Sequence, residues 1–587
     1  MHLLRSPARL AVLVFLAAIS LFASCSRHLE RPNIVLIVVD ALRPDYLGCY
    51  GNSRPTSPRI DDLAHRGILF ETAVAHAPWT KTSFACMLTS LYPFQHGVVD
   101  WESVMPDSIV TLPEVLREQG YTTLGIINML GITGPYKVTR GFDKMSEGGK
   151  QEFDAAKTTD IAIELIKGSR VPFFLLVHYE DTHWPYRPLP EHVDLVRSEG
   201  DPDPFSATST PPRRASERPS QENIDREKLL YSACIRRADD AIGRLVDFLD
   251  RGGMMKETVV IVTADHGEAF WEHGVRTHGF NLYDEAIRVP LILYCPTRFD
   301  KARRIAPQVR HIDIMPTIVE LAGARDRGHR EGTSLLGLIA NGARPASSGS
   351  LFPANLGVSE LNLKRVPDSR CVRTDTRKII VEPATAFVEL YDLATDPGET
   401  VNLWGTAAAA RDSLWSVASR IPGANINGWR VGLTGADAAS FQVKVSVAGV
   451  GHISDALAVA GPGELNLQVD PDSTSLTIDG RPKGLQLVLF DVEPKDAAVS
   501  FQAEFEGKTG PLFVNSGKNG RQRIGKAFTT SRSDGVGLPD AFRAARDSAR
   551  AGVFVWWLPG EPAPRAGSEQ PLTAEEKKRL KALGYIQ

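Results

Sequence analysis

Apolar runs typical of buried strands alternate with amphipathic helical stretches over the first two thirds of the chain. Residues 33–39 form an almost unbroken β-branched run, as in a strand covered on both faces of a parallel sheet. Similar runs occur at 173–178, 259–263 and 291–294. Helical stretches lie at 60–66, 110–119, 155–167 and 227–249. This alternation predicts an α/β fold, with a mainly parallel sheet sandwiched by helices.

Polar residues stand where several of these predicted strands end. Asp40 ends the first run, His178 ends the second, and Asp265 follows the third. Because ligands of open α/β sheets bind beyond the carboxyl ends of the strands, these positions predict a convergent site. Taken alone, each residue could also have a purely structural role: Asp40 as a turn or cap residue, and His178 as the last residue of its strand.

The pattern of apolar and polar residues changes after about residue 425. Short alternating runs at 441–447, 464–469, 485–492 and 498–505, separated by Gly, Pro and Asp, predict antiparallel strands. We therefore divide the chain into a first folded domain at 31–405, an accessory β-rich domain at 425–560 and a C-terminal helix and tail at 571–587. Residues 198–222, rich in Pro, Ser, Arg and Glu, predict a surface insertion.

The N-terminal residues predict an export signal rather than part of the fold. Two arginines precede an apolar run at 10–22, which is too short to span a bilayer but suits a signal peptide. The small residues before Cys25 resemble the bacterial lipoprotein cleavage box, so residues 1–25 are interpreted as a signal ending at a lipidated Cys25. The alternative is an ordinary cleaved signal with an incidental cysteine. Lipidation implies a bacterial cell envelope, anchored to the membrane, and the outer membrane or periplasm if the source is diderm.

The charge balance bears on the binding partners, and the cysteine spacing bears on disulfide bonds. Lys and Arg (67) nearly balance Asp and Glu (70), so no nucleic-acid partner is expected. Besides Cys25, five cysteines remain without paired spacing, and we expect buried free thiols.

Several motifs follow one another in an order that points to one family. They comprise the strand and loop from Arg31 to Gly51 with Asp40, the stretch Thr80 to Gly97, the His178–Tyr186 loop with His183, the Asp265-His266-Gly267 loop, and later segments near 311–317 and 389–397. This series resembles the sulfatase family of the alkaline-phosphatase superfamily over residues 31 to about 405. The resemblance implies that family's fold, with a small C-terminal antiparallel subdomain in addition to the extra β-rich domain.

The resemblance also implies a metal-assisted mechanism with named residues. One divalent ion (Mn, Ca, Mg or Zn) would be held by Asp40, Asp265, His266 and the Thr80 oxygen, and Thr80 would be the nucleophile. His183 and His278 would offset charge on the substrate and leaving group, and Asn128 would contact substrate. His273 is left open between a role at the site and an ordinary surface histidine.

Departures from the family pattern bear on the substrate. Thr80 stands where many sulfatases carry the cysteine that is oxidised to formylglycine, and Phe84 stands where their motif has arginine. We therefore expect a hydrolase or transferase acting on phosphate mono- or diesters through a covalent intermediate on Thr80. The alternatives are a sulfuric ester hydrolase acting on sulfated glycans or aryl sulfates, and a catalytically silent glycan-binding protein. The expected partner is a phosphorylated or sulfated small molecule, lipid or glycan.

Overall fold

A computed structural model of the chain describes residues 31–404 except 130, 149–153, 206–218, 300, 327, 343–356, 362–368 and 383–386. Between 414 and 558 it describes the strands and some of the residues that connect them. The predicted signal with Cys25, the C-terminal helix and tail at 571–587, and most of the predicted insertion at 198–222 lie outside the described residues.

A nine-stranded sheet forms the centre of the first part of the chain, in the order β10-β2-β9-β6-β1-β5-β3-β4 with β11 beside β2. The strands up to residue 310 are β1 Asn33–Val39, β2 Ile68–Val74, β3 Thr122–Ile127, β4 Lys144–Glu147, β5 Phe173–Tyr179, β6 Thr258–Ala264, β7 Ala269–Phe270, β8 Arg276–Thr277, β9 Arg288–Tyr294, β10 Arg303–Ile305 and β11 Val309–Arg310. Strand β1 is buried along its whole length and pairs in parallel with β5 and β6. The expected mainly parallel sheet is confirmed.

One strand of the mainly parallel sheet runs the other way. The strand predicted at 291–294 is confirmed as β9, and it pairs antiparallel with both β6 and β2. Residues 265–287 connect β6 to β9 and contain only the short strands β7 and β8 and a single helical turn as regular elements, so no crossover helix spans this connection. A parallel pairing requires such a crossover, usually a whole helix, and the chain therefore returns antiparallel.

Helices cover the four stretches that the sequence predicted, with differences of up to six residues at their ends, and six further α-helices of the described residues lie outside those stretches. Together they are α1 Pro58–Arg66, α2 Thr80–Thr89, α3 Pro93–His96, α4 Leu112–Glu118, α5 Ala155–Lys167, α6 Pro190–Val196, α7 Gln221–Arg251, α8 Asp284–Ile287, α9 Ile314–Leu321 and α10 Leu336–Asn341. Helix α7 packs against α1, α5 and α6, while α2, α4 and α9 form a second group. Apolar residues of the sheet and both groups form one continuous core.

A four-stranded antiparallel sheet follows, made of β12 Gly357–Leu361, β13 Ser369–Arg373, β14 Arg377–Glu382 and β15 Phe387–Asp392. Buried ion pairs connect it to helix α8, which precedes β9. Asp284 lies 2.7 Å from Arg373 and 3.0 Å from Lys378, and Lys378 lies 2.9 Å from Glu399. This sheet is the small antiparallel subdomain that the family resemblance implied.

Two further antiparallel-rich sheets of six strands each occupy the later part of the chain. Their strands are β16 Gly428–Thr434, β17 Phe441–Val447, β18 His452–Val459, β19 Gly463–Val469, β20 Ser475–Pro482, β21 Gln486–Glu493, β22 Val499–Phe505, β23 Lys508–Thr509, β24 Leu512–Ser516, β25 Gly520–Ile524, β26 Phe528–Thr530 and β27 Gly552–Leu558. The extra β-rich part of the fold prediction is therefore confirmed, while the domain boundaries at 425 and 560 stay predictions.

Two other expectations concern thiols and membranes. Cys49, Cys86, Cys234, Cys295 and Cys371 are buried and form no disulfide bond within the described residues, as predicted. A search of the described residues finds no helix with the length and apolar character that crossing a membrane requires.

Candidate active site and metal centre

Three polar side chains meet where the adjacent strands β6, β1 and β5 end. In the sheet register Val38 lies opposite His178, and Val39 lies opposite Ala264, so Asp40 and Asp265 each follow directly on a paired residue. Alternate residues of a strand share a face, and Val38, Asp40 and His178 therefore project to the same side. Potential ligand atoms of Asp40, His178 and Asp265 all lie within 4.8 Å of one another, and all three residues are buried.

The backbone orients the Asp265 carboxylate. Its Oδ1 accepts hydrogen bonds from the N–H of Ala41 at 3.0 Å and the N–H of His266 at 2.9 Å, which leaves Oδ2 turned to the cluster. Ala41 adopts a left-handed conformation with φ 52°, which turns the chain sharply after Asp40. Gly267 then brings the loop against α8, where an added Cβ would lie 2.0 Å from the Glu285 carbonyl oxygen.

The cluster has the properties of a cation site. Both carboxylate oxygens of Asp40, Oδ2 of Asp265 and both ring nitrogens of His178 are buried without a hydrogen-bond partner among the described residues. Burial and the nearby Asp265 charge raise the pKa of Asp40. Two adjacent buried carboxylates with three oxygens that lack donors are costly, and a divalent ion would offset both charges. These residues therefore fit a metal ion with oxygen and imidazole ligands.

Thr80 begins helix α2, and its side chain is buried beside the cluster. Its Oγ1 lies 3.2 Å from Nε2 of His266. Ser83, one turn further, donates to the Asp265 carbonyl oxygen at 2.5 Å and so fixes α2 to the end of β6. The N-terminal end of a helix carries partial positive charge, which favours an alkoxide or a bound anion at Thr80.

The hydrogen bonds of His266 determine which ring nitrogen carries the proton. Nδ1 lies 2.8 Å from the carbonyl oxygen of Gly267, and only a protonated Nδ1 can donate there. In the neutral imidazole Nε2 is then the unprotonated nitrogen, and it lies 3.2 Å from the Thr80 hydroxyl, 3.3 Å from Asp265 Oδ2 and 3.6 Å from Asp40 Oδ1. This nitrogen can accept a proton from Thr80 or ligate an ion.

Two more histidines line the same space. The ring of His278 lies 4.2 Å from that of His266 and 4.9 Å from that of His183, measured between centroids. Burial and the neighbouring His278 lower the pKa of His183, whose Nδ1 contacts the Trp184 carbonyl oxygen. The sequence-predicted His183, His278, Thr80 and His266 thus stand together.

Glu268 contacts His278 at the Nδ1 side of its ring. Its Oε1 lies 3.1 Å from Nδ1 of His278, and its Oε2 accepts a hydrogen bond from the Tyr186 hydroxyl at 2.9 Å. Burial alone would lower the pKa of His278, but the Glu268 carboxylate raises it. Sequence reasoning missed Glu268, although its place directly after Asp265-His266-Gly267 was a usable signal.

The nearby cationic side chains have other partners. Lys81, next to Thr80, donates to the Trp101 carbonyl oxygen at 2.6 Å and lies over the Tyr136 ring. Arg43 pairs with Asp45 at 2.8 Å and with Glu272 at 2.7 Å. Phe84 packs edge-on against His178, with 5.1 Å between ring centroids. Imidazoles therefore dominate this site where the sulfatase motif supplies lysine and arginine.

The remaining predicted positions lie further out. Asn128 follows β3, is buried, and donates to the Thr158 hydroxyl at 3.4 Å, so its substrate contact stays a prediction. His273 binds Glu285 at 2.7 Å and stacks on Tyr283, and its contacts belong to the junction with the four-stranded sheet. His178, which the sequence left open as a mere strand end, enters the ligand cluster, while Thr80 and His266 lie beside it.

Comparison with known proteins identifies the family. Residues 32–324 match the Sulfatase family, and 272–415 match the family described as N-sulphoglucosamine sulphohydrolase, C-terminal. The chain is 24% identical to an N-acetylglucosamine-6-O-sulfatase of Bacteroides thetaiotaomicron, covering 68% of this chain and 88% of that one. It is 28% identical to the Homo sapiens iduronate 2-sulfatase, covering 50% and 69%.

A solved structure agrees in fold. The phosphonate monoester hydrolase of Agrobacterium radiobacter superposes with a TM-score of 0.56 at 20% identity, covering 66% of this chain and 96% of that one. The names of the relatives favour the sulfuric-ester alternative over the phosphoester reading that Thr80 suggested. The chain belongs to the sulfatase family of the alkaline-phosphatase superfamily and is a sulfatase-family hydrolase.

Proposed function

We propose that this protein hydrolyses a sulfuric ester carried by a glycan, with Thr80 as the nucleophile. The observation that carries the proposal is the buried convergence of Asp40, Asp265, His266 and Thr80, which combines a cation site with a hydroxyl. The relatives named above act on glucosamine and iduronate sulfates, which supports a sulfated glycan as the substrate.

The charges around Thr80 support a substrate group with one negative charge. A divalent ion balances Asp40 and Asp265, while Lys81 and Arg43 are held by other partners. Such a site has little positive charge left for a dianion such as a phosphate monoester. A sulfate monoester is a monoanion and needs less compensation.

The chemistry follows from the positions of the side chains. A divalent ion, when bound, would lower the pKa of the Thr80 hydroxyl and polarise the ester. Oγ1 of Thr80 forms a bond to sulfur as the bond from sulfur to the ester oxygen breaks, and its proton passes to Nε2 of His266. His278, held by Glu268, donates toward the departing oxygen, and water then hydrolyses the Thr80 ester.

A phosphodiester is the second candidate, and one observation favours it. Thr80 cannot be converted to formylglycine, and a phosphodiester is also a monoanion. The structural neighbour from Agrobacterium radiobacter acts on phosphonate monoesters, another class of monoanion. The same machinery would attack phosphorus in place of sulfur.

Rates on matched aryl esters decide between these substrates. We would measure kcat/KM on aryl sulfate, aryl phosphodiester and aryl phosphate after loading with Mn²⁺, Ca²⁺, Mg²⁺ or Zn²⁺, with Thr80→Ala as the control for contaminating enzymes. The proposal expects the highest value on the sulfate. A preference for the diester would favour the second candidate. If the metal-loaded protein turns over none of these esters and no sulfated glycan, the catalytically silent glycan-binding protein is the alternative that remains.

A further inference from the structure

We propose that Nε2 of His178 is a direct ligand of the catalytic metal ion and takes the place of a second carboxylate at the end of β1. The inference rests on the metal centre of the proposed function and adds a ligand to it. Neither the sequence pattern nor the family resemblance assigned a role to this histidine.

The first argument is the sequence at the end of β1. Asp40 is the only carboxylate at this strand end, where it stands between Val39 and Ala41. Neither neighbour has a side-chain oxygen, so one ligand must come from elsewhere if the ion is to be fully coordinated. Ala41 contributes only its N–H, which is used by Asp265.

The second argument is the register of the adjoining strand. His178 lies opposite Val38 across the β1–β5 pair, and its Nε2 is 3.3 Å from Oδ2 of Asp40. With Asp265 from β6, three adjacent strands then supply one side chain each. The separation of the ligand atoms, within 4.8 Å, suits a small ion between them.

The third argument is the state of the imidazole. His178 is fully buried, its Nε2 lies 3.3 Å from Asp40 Oδ2 outside hydrogen-bond geometry, and its Nδ1 has no hydrogen-bond partner among the described residues. A buried polar group without a partner is rare, and a strand-end histidine with a purely structural role would be expected to have one. His311 provides the contrast, since its ring nitrogens lie 3.2 Å from the Ser83 hydroxyl and 3.3 Å from the Thr263 hydroxyl.

An imidazole in the ligand set changes which ion the site prefers. Nitrogen ligands suit Zn²⁺ and the later transition metals, whereas Ca²⁺ and Mg²⁺ require mainly oxygen. We therefore expect the metal-free protein to bind Zn²⁺ more tightly than Ca²⁺ and Mg²⁺.

The test measures metal binding and not turnover. Wild type, His178→Asn, His178→Asp and the control His311→Asn would be stripped of metal and titrated with Zn²⁺ and Ca²⁺, with the fold checked by circular dichroism. We expect His178→Asn to weaken Zn²⁺ binding by roughly 100-fold or more, beyond the effect of losing an outer hydrogen-bond partner. His178→Asp should restore binding but shift the preference toward Ca²⁺, and His311→Asn should bind like wild type.

Spectroscopy identifies the atom involved. In Mn²⁺-loaded protein, pulsed electron paramagnetic resonance should detect one fewer directly bound imidazole nitrogen in His178→Asn than in wild type. Folded His178 variants with unchanged Zn²⁺ affinity and an unchanged nitrogen signal would overturn the inference while leaving the proposed hydrolysis intact. If wild-type protein shows the His178 nitrogen signal but has no sulfatase activity, the proposed function is rejected and the ligand assignment stands.

Discussion

The Oγ1 atom of Thr80 lies 3.2 Å from Nε2 of His266, and the Gly267 carbonyl oxygen contacts Nδ1, so that in the neutral ring Nε2 is the nitrogen that can accept a proton. A hydroxyl at the start of a helix thus faces a proton acceptor next to two carboxylates. This contact underlies the assignment of Thr80 as the nucleophile.

Thr80→Ala should abolish turnover and leave the fold intact, because it removes one small buried hydroxyl. We expect kcat to fall by roughly 10⁴-fold or more, as for other nucleophiles. Thr80→Ser keeps the hydroxyl and should retain measurable activity. Steady-state kinetics with a thermal melt checks both variants, and near-wild-type rates in Thr80→Ala would show that another group attacks.

Asp265→Asn should empty the metal centre. The side-chain amide has a single neutral oxygen, which cannot both accept the two backbone N–H groups and take the place of the anionic oxygen that faces the ion. We expect substoichiometric metal by mass spectrometry after dialysis. The matched control is Asp181→Asn, a buried aspartate that pairs with Arg237 at 3.3 Å. Metal retained in Asp265→Asn would refute the ligand assignment, and metal lost in both variants would indicate a second ion.

Glu268→Gln should lower kcat/KM by about 100-fold, because the carboxylate that supports His278 becomes neutral. Tyr186→Phe removes only the hydrogen bond to the other oxygen of Glu268, and a loss of about fivefold is expected. Glu268→Asp should recover part of the rate. Equal losses in all three variants, accompanied by a lower melting temperature, would point to a structural role for Glu268.

Asp284→Asn should destabilise the junction with the four-stranded sheet by about 3–5 kcal/mol, since it leaves buried Arg373 without its carboxylate partner and leaves Lys378 paired with Glu399 alone. Urea denaturation measures this, with the exposed Asp62–Arg66 pair as the control: Asp62→Asn should cost less than about 1 kcal/mol.

The same variant predicts a pH dependence. Burial alone would raise the pKa of Asp284, but Arg373 and Lys378 hold it well below its usual 3.8. A depressed pKa gives stability that is complete above the unfolded value and is lost as the pH falls toward the folded value. The stability difference between wild type and Asp284→Asn should therefore be constant near neutrality and shrink below about pH 4. A difference that grows in acid would contradict the assignment.

Cys25→Ser should release the protein from membranes if the predicted lipidation occurs, since the acyl chains would have no attachment point. Cell fractionation followed by immunoblotting measures this, and Ser26→Ala serves as the neighbouring control. Continued membrane association of the Cys25 variant would show that the residue is incidental.

Much of the fold follows from the sequence because strand and helix have different apolar periods. The run at 33–39 coincides with β1, and the helix at 155–167 coincides with α5. The missed strands β2 and β3 have fewer distinctive features: β2 contains Glu71 and Thr72, and β3 is short and begins with two threonines. An apolar run records burial but not direction, and so it could not show that β9 is antiparallel.

Part of the candidate site likewise follows from the sequence, and part depends on the tertiary structure. Asp40 and Asp265 follow buried strands and carry motifs, so the chain alone determined that two carboxylates stand at one edge of a sheet. Only the tertiary structure decided that His178 faces Asp40 and that Glu268 holds His278. The physical reason is that such contacts depend on the register between distant segments and on the turn of each loop. A side chain's residue type fixes what it can bind, and its neighbours fix what it does bind.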